Sequence, residues 1–226
     1  MQKFYVIGTP IGNLEDITYR AVRVLNDVDM ILCEDTRVTV NLLNKYGIKK
    51  PTMSYHSQSK VSKMDKILEI LGEGKNLALV SDAGTPTISD PGSILVSKIR
   101  ESHPEIEIIA IPGPSAVTSA LSVSGLPSSE FTFLGFLPHK KGRETLFKEI
   151  ANSERTIVFY ESPHRIMKSL ESLKKLLTEE RKIVVAREIS KIYEQVVSGN
   201  SAEVLSYFTD NGDKVRGEFV VMVSGL

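Results

Sequence analysis

One stretch of the sequence, residues 77–96, predicts a strand, a sharp loop and a helix in succession. An apolar run at residues 77–80 opens it and a second apolar run at residues 94–96 closes it. Apart from Ile88, every residue from 81 to 92 is small, hydroxylated, acidic, glycine or proline. Ligands of open α/β sheets bind outside the carboxyl ends of strands, so this loop predicts a ligand site. An elaborate structural turn is the alternative.

The residue types in this loop suit close contact with another molecule. Gly84 can adopt a positive φ and leaves its backbone open to approach. Pro86 and Pro91 remove amide donors and stiffen the turn. Asp82 and Asp90 carry short carboxylates that can cap a helix or accept a hydrogen bond from a ligand.

Composition narrows the class of protein. The chain has 226 residues, and its 28 basic residues balance its 28 acidic ones, which argues against a chain-wide nucleic-acid footprint but allows a local patch. The single cysteine, Cys33, excludes an intrachain disulfide, and the four histidines form no zinc pattern. No signal peptide or membrane span is recognisable. We therefore expect a cytoplasmic protein with no metal and no membrane association.

The order of apolar runs predicts an α/β fold. Strands rich in apolar residues alternate with amphipathic helices, which is typical of a parallel sheet covered on both faces. Glycine and proline cluster between residues 112 and 127. We place a domain boundary there and predict two α/β domains, residues 1–113 and residues 114–226.

Four loops of the first domain follow predicted strands, at residues 8–13, 34–37, 81–92 and 112–115. Carboxyl ends of parallel strands share one edge, so these loops can converge on one ligand. The first loop reads G-x-x-x-G rather than G-x-G-x-x-G, and the chain has no Walker A motif, which argues against a conventional dinucleotide site. A different nucleotide or substrate loop and a structural turn remain as alternatives.

Charged residues near strand ends are the further candidates. Residues 34–37 combine two acids and a base, which fits either a proton acceptor or a capped helix start with a surface ion pair. Arg165 fits either a phosphate contact or a solvated side chain. Lys140, Lys141 and Arg143 form the clearest basic cluster, again as phosphate contacts or as a solvated face.

Seven motifs carry a resemblance across almost the whole chain. In chain order they are YVIGTPIGNLEDIT at 5–18, CEDTR at 33–37, SDAGTPTISDPG at 81–92, IPGPSA at 111–116, GFLP at 135–138, FYESPHR at 159–165 and GEFVV at 217–221. In this set and order, the sequence resembles the tetrapyrrole methylase superfamily, and within it the branch that 2′-O-methylates a cytidine in 16S ribosomal RNA at the decoding centre. Residues 57–59 (SQS) depart from the acidic or histidine residues common in that branch.

The resemblance implies two α/β domains with S-adenosylmethionine in the cleft between them, a homodimer, and 16S ribosomal RNA, within the small ribosomal subunit, as substrate. It implies cofactor contacts at Pro10, Asp82, Ala83, Gly84, Thr85, Ile88, Ser115, Ala116, Leu137 and Phe219. A ribose 2′-hydroxyl is a poor nucleophile until it loses its proton, so we nominate Asp35 or Glu34 as the base. We predict substrate contacts at Arg37, His56, Lys140, Lys141, Arg143, Glu161, His164 and Arg165.

Two other functions fit parts of the sequence. A methyltransferase of the same fold that acts on a tetrapyrrole or corrinoid precursor agrees with the neutral net charge. A non-catalytic ribosome-assembly factor would bind RNA without taking up S-adenosylmethionine. The small-residue loops argue against the assembly factor.

Overall fold

The structure, a computed structural model, describes residues 2–56, 61–90 and 92–226. The chain divides into two compact units, Met1–Ser115 and Ala116–Leu226. The predicted boundary, after residue 113, lies two residues before this division.

The first unit contains a five-stranded sheet in the order β3-β2-β4-β1-β5, and every neighbouring pair is parallel. This confirms the predicted parallel α/β arrangement. The elements are β1 (Lys3–Ile7), α1 (Tyr19–Asp27), β2 (Met30–Cys33), α2 (Thr36–Lys45), β3 (Thr52–Ser54), α3 (Val61–Gly72), β4 (Leu77–Leu79), α4 (Gly92–Ser102) and β5 (Glu107–Ile111).

Apolar side chains project from both faces of this sheet, as the near-continuous apolar sequences of its strands predict. On one face, Ile7, Ile31 and Ala78 pack with residues of α1 and α2. On the other face, Phe4 and Leu77 pack with residues of α3 and α4. Helices therefore cover both faces of the sheet, and the loops at the strand ends lie outside these two clusters.

Side-chain caps fix where the first helices begin. Thr18 accepts a hydrogen bond from the Ala21 amide at 3.1 Å and caps the start of α1. Asn13 caps a short 3-10 helix, Leu14–Asp16. Asp35 accepts from the Arg37 amide at 2.8 Å, and α2 begins at Thr36.

The second unit contains a five-stranded sheet in the order β6-β7-β10-β8-β9, in which β6 and β7 are parallel and the other neighbours are antiparallel. Its elements are α5 (Ala116–Ser124), β6 (Phe131–Phe136), α6 (Arg143–Ala151), β7 (Thr156–Glu161), α7 (Ile166–Leu176), β8 (Lys182–Arg187), β9 (Gln195–Asn200), α8 (Ser201–Asp210) and β10 (Phe219–Val223).

A separate turn precedes the helix α7. Pro163 lies in this turn, outside the helix. The amides of Arg165 and Ile166 both donate to the Ser162 carbonyl at 3.0 Å, and Arg165 has a non-helical ψ of −16° with φ of −125°. The helix therefore starts at Ile166.

The core of the second unit lies between one face of its sheet and the helices α6, α7 and α8. Phe147, Leu170 and Phe208 from these helices pack against Phe159 and Val221 from the strands. Alternate strand residues point to the opposite face, and α5 lies against β8, β9 and β10. No helix in the described ranges is long and apolar enough to cross a membrane.

Candidate functional site

The strand order of the first sheet brings the four predicted loops together. The strands β2, β4, β1 and β5 are consecutive neighbours, and all run in the same direction. The loops at residues 34–37, 81–92, 8–13 and 112–115 therefore leave one edge of the sheet side by side. This is the edge at which open α/β sheets bind ligands.

Direct contacts tie these loops to each other. The amide of Thr9 donates to the Gly84 carbonyl at 2.9 Å, and the amide of Gly84 donates back to the Thr9 carbonyl at 3.1 Å. The Thr9 hydroxyl also donates to the Ser81 carbonyl at 3.1 Å. A Cβ added to Gly8 would lie 2.8 Å from the Cα of Gly113, so the first and fourth loops touch through bare backbone.

The predicted cofactor residues of the first unit lie on this edge with different exposure. Asp82, Ala83 and Ile88 are exposed, whereas Gly84 and Pro10 are buried. Gly84 has a φ of 79°, a conformation for which glycine is suited. Thr85 and Ser115 are half-buried, and so is Ala116, the first residue of the second unit.

Two residues of the central loop hold a strained backbone without being glycine. Thr87 has a φ of 79° and Ser89 a φ of 59°. Residues other than glycine rarely adopt a positive φ, and such strain is concentrated at functional sites. The loop shape is therefore held by its surroundings rather than by local preference.

Asp35 organises the start of α2. Its carboxylate accepts from the Arg37 amide at 2.8 Å and pairs with the Arg37 guanidinium at 2.6 Å. The hydrogen bonds from Arg37 lower the pKa of Asp35 to about 2. The amide of Asp35 donates to Asp82 Oδ1 at 3.0 Å, which joins the second loop to the third.

Glu34, the neighbouring residue, has the opposite environment. Burial, then the hydrogen bond and charge of Asp90 and the charge of Asp82, raise the pKa of Glu34 to about 7. A carboxyl with this pKa can take up or release a proton near neutral pH. The different environments of these two adjacent carboxyls thus shift their pKa values in opposite directions.

The second unit contains a buried ionic cluster around Glu161, whose side chain has 0% exposure. Arg165 Nε lies 2.8 Å from Glu161 Oε1, and Arg143 Nη2 lies 3.5 Å from Glu161 Oε2. Ser169 donates its hydroxyl proton to Glu161 Oε2 at 2.6 Å and accepts from Arg143 at 2.7 Å. These groups satisfy one another in the interior.

Both arginines of this cluster also hold one segment of backbone. Arg165 donates to the Leu137 carbonyl at 2.8 Å, and Arg143 donates to the Pro138 carbonyl at 3.2 Å. Each arginine side chain is 15% exposed. That these residues contact the substrate stays a prediction; their observed contacts fix the chain between β6 and α6.

The other predicted residues of the second unit fall into two groups. Lys140, Lys141 and His164 are exposed. Leu137 and Phe219 are each 1% exposed and belong to the hydrophobic core. In the first unit, Arg37 and His56 are exposed as well. The predicted contacts of all these residues stay predictions.

Two residues join these sites without having been predicted there. Asp90, noted only as a possible cap or ligand acceptor, accepts from the Gly92 amide at 3.1 Å and raises the pKa of Glu34. Ser169 stands on the buried stripe of α7, between Ile166 and Leu170. A serine in an apolar stripe was the available signal, because buried hydroxyls require partners.

Some expectations fall outside these observations. Pro91 and the departure at residues 57–59 lie outside the described residues. Within residues 2–56, 61–90 and 92–226, no group of three or more histidine, cysteine, aspartate or glutamate side chains is arranged to hold a metal ion.

Comparison with known proteins identifies the family. The sequence profile described as Tetrapyrrole (Corrin/Porphyrin) Methylases matches residues 3–205. The chain belongs to the tetrapyrrole methylase family. This confirms the resemblance on which the site predictions rest, and the four converging loops carry four of the seven motifs of this tetrapyrrole methylase.

The sequence similarity between this tetrapyrrole methylase and its relatives covers all or nearly all of the chain. It is 46% identical over 225 residues to ribosomal RNA small subunit methyltransferase I of Thermotoga maritima, covering 100% of this chain and 99% of that protein. It is 45% identical over 224 residues to the protein of the same name from Escherichia coli O157:H7, covering 99% of this chain and 78% of that protein.

Solved structures confirm the fold. The methyltransferase CobJ superposes with a TM-score of 0.70 at 18% identity, over 100% of this chain and 95% of that one. The cobalt precorrin-4 methyltransferase CbiF superposes with a TM-score of 0.68 at 18% identity, over 98% of this chain and 94% of that one. At such identities the likeness establishes the fold alone.

Proposed function

We propose that this protein transfers a methyl group from S-adenosylmethionine to small-subunit ribosomal RNA, at the 2′-hydroxyl of a cytidine in the decoding centre of 16S ribosomal RNA. The observation that carries the proposal is the 46% identity to a ribosomal RNA small subunit methyltransferase, because it covers 99% of that protein's length. The name of the relatives supports small-subunit ribosomal RNA as the class of substrate. The particular nucleotide and atom rest on the motif resemblance.

The first-unit loops offer suitable chemistry for the cofactor. S-adenosylmethionine supplies an activated methyl group on a sulfonium centre and carries positive charge on its sulfur and amino group. Asp82 and Asp90 bring carboxyl groups to one rim beside Glu34, where they favour a cationic ligand. The small residues Ala83 and Gly84 leave backbone amides and carbonyls open to approach. These residues hold and orient the ligand, with the second-unit contacts at Leu137 and Phe219 added by backbone atoms.

Glu34 is the better of the two nominated bases. A general base works best when its pKa lies near the working pH, and that of Glu34 is raised to about 7. The pKa of Asp35 is lowered to about 2, and its oxygens already accept from Arg37. Glu34 therefore accepts the proton of the ribose hydroxyl, and Asp35 positions the loop through its helix cap.

Exposed side chains provide contacts to the RNA backbone. Arg37, Lys140, Lys141, His56 and His164 are exposed, and lysine and arginine bind phosphate by charge and hydrogen bonding. Glu161, Arg143 and Arg165 support this role by fixing the chain that leads to Lys140. We further propose that the protein acts in the cytoplasm as a homodimer, with the cofactor in the cleft between its two domains and no metal.

The experiment combines cofactor titration with methyl transfer. Purified protein is titrated with S-adenosylmethionine, and labelled methyl incorporation is measured with small ribosomal subunits from cells that lack the enzyme. We expect micromolar cofactor binding that Asp82→Ala weakens, and a methylated cytidine in the RNA. Methyl transfer to a corrinoid precursor, with none to subunits, would move the substrate to the small-molecule class. RNA binding without cofactor binding would support the assembly factor.

The role of Glu34 has its own test. The rate with wild-type protein should rise with pH through about 7, since the ionised form of Glu34 is the active one. Glu34→Gln should bind cofactor normally and lose most of the rate together with this pH dependence. A Glu34→Gln enzyme that keeps the wild-type rate and profile would remove Glu34 from the role of base.

A further inference from the structure

Four aromatic side chains lie on the edge strand β6 and its neighbour β7 in the second sheet; we call Phe131, Phe133, Phe136 and Tyr160 the aromatic platform. In the parallel pairing of β6 with β7, Phe133 lies opposite Val158 and Phe136 opposite Tyr160. Residues 158 and 160 are two apart on one strand and share a face, so their partners on β6 share it as well. Phe131 pairs with Thr156 and joins the same face.

A β-bulge produces this arrangement. Residues 133 and 136 are three apart, so in a regular strand their side chains would point to opposite faces. The register shifts between them, and Gly135 takes a φ of 63° within the shift. Bulges of this kind re-aim side chains and occur preferentially at sheet edges and beside active sites.

The platform is packed on one side and open on the other. The ring of Tyr160 lies 5.0 Å from that of Phe133 and 5.3 Å from that of Phe136, measured between centroids. Phe136 is nevertheless 59% exposed and Phe131 39% exposed. The Tyr160 ring packs against Phe136 while much of the Phe136 surface remains accessible.

Basic residues follow the platform directly along the chain. His139, Lys140 and Lys141 are exposed and begin three residues after Phe136. The Glu161 cluster fixes the intervening backbone at Leu137 and Pro138. Burial, and then the charge of Glu218, raise the pKa of Tyr160, and Glu218 is itself paired with Lys191 at 2.7 Å.

We propose that the aromatic platform stacks unpaired bases of single-stranded RNA while Lys140 and Lys141 contact the adjoining phosphates. Aromatic rings beside a basic segment are the two elements with which proteins bind single strands. A second copy of the chain would match the apolar rings but not the basic segment. The inference rests on the proposed function, because it names the surface that holds the RNA substrate.

Substitutions at Phe136 test stacking against simple apolar contact. Full-length variants are titrated with a single-stranded RNA oligonucleotide that carries the target cytidine. Phe136→Ala should weaken binding about tenfold, the order expected for the loss of one base–aromatic stack. Phe136→Leu keeps apolar bulk without a π-face and should bind as weakly as Phe136→Ala, whereas Phe136→Tyr should bind like wild type.

Controls separate this surface from the fold and from the cofactor site. Tyr19 is 98% exposed on α1, outside the platform, and Tyr19→Ala should leave RNA binding unchanged. Cofactor affinity and thermal unfolding should not change in the Phe136 variants. Phe131→Ala, at the far end of the platform, should weaken RNA binding in the same direction.

The outcomes distinguish RNA from a second copy of the chain as the molecule that binds the aromatic platform. Wild-type affinity in both Phe136→Ala and Phe136→Leu would overturn the platform while leaving methyl transfer to subunits, and thus the proposed function, intact. Loss of dimer in Phe136→Ala but not in Phe136→Leu, with RNA affinity following the dimer, would assign the face to a second copy and overturn the inference. Wild-type protein that methylates no subunits would contradict the proposed function, and the binding titration would still judge the platform.

Discussion

Gly8 and Gly113 meet so closely that neither has room for a Cβ atom. A Cβ on Gly113 would lie 2.6 Å from the carbonyl oxygen of Gly8, and a Cβ on Gly8 would lie 2.8 Å from the Cα of Gly113. Both contacts are to backbone, which cannot rotate away as a side chain can. We expect Gly113→Ala to lower the free energy of unfolding by about 1–3 kcal/mol, the range for overpacking, and to weaken cofactor binding. Chemical denaturation and calorimetric titration measure the two effects.

The same unit offers a matched glycine. A Cβ on Gly72, at the end of α3, would lie 3.6 Å from His103 Cε1, which is an ordinary contact. Gly72→Ala should therefore be tolerated, with unchanged cofactor affinity. Equal losses in both variants would contradict the importance of the approach between Gly8 and Gly113.

Removal of the buried charge of Glu161 should be costly. Its carboxylate faces Arg143, Arg165 and the Ser169 hydroxyl with 0% exposure. Glu161→Gln leaves two nearly buried guanidiniums without a counter-charge, and breaking a buried pair in this way costs about 3–5 kcal/mol. Thermal or urea unfolding should show the loss.

An exposed pair of the same residue types provides the comparison. Arg155 Nε and Glu130 Oε2 are 2.6 Å apart, but their side chains are 62% and 69% exposed. Solvent screens such pairs, so Glu130→Gln should change stability little. If the two substitutions gave equal losses, burial would not be the cause of the effect at Glu161.

The sequence predicts the strands and loops of the first unit well, because apolar runs and glycine-rich turns are local signals. The strand order cannot be read from these local signals, because β2 and β4 are neighbours in the sheet but are separated by β3 in the sequence. This order puts Glu34 beside Asp82 and Asp90.

The second unit contains contacts that the sequence does not reveal. The phosphate contact predicted for Arg165 from its residue type stays a prediction. Within the protein, Arg165 contacts Glu161 and the Leu137 carbonyl, and the latter is 28 residues away along the chain. The bulge at Gly135 also has no unique pattern in the sequence, since a glycine in a strand indicates a bulge, a bend or a close approach.

Glu34 should make stability depend on pH near neutrality. Its pKa is raised from an ordinary 4.5 to about 7, so the folded protein keeps a proton that the unfolded chain releases. Between these pH values stability falls as pH rises, because ionisation is disfavoured by burial and by Asp90 and Asp82. Glu34→Gln should abolish this fall, which is measured as the unfolding midpoint at several pH values.

Asp35 provides the opposite sign as an internal control. Its pKa is lowered from 3.8 to about 2 by Arg37, so its contribution to stability is present above the ordinary value and is lost as pH falls towards 2. Asp35→Asn should therefore flatten the acid side of the profile and leave the neutral region unchanged. A change in the neutral region on this substitution would contradict the assignment of that region to Glu34.

Lys140 and Lys141 should contribute to RNA binding through salt-dependent charge rather than through the fold. Both are exposed, so replacing both with alanine should leave the unfolding free energy nearly unchanged. If each contacts a phosphate of single-stranded RNA, the slope of log K against log salt should become shallower by about 0.7 for each lysine lost. Lys174 and Lys175 form a matched exposed pair in the last turn of α7, and their replacement should leave the slope unchanged. Equal changes from the two pairs would indicate general attraction to RNA, because a specific contact must depend on where the lysines lie.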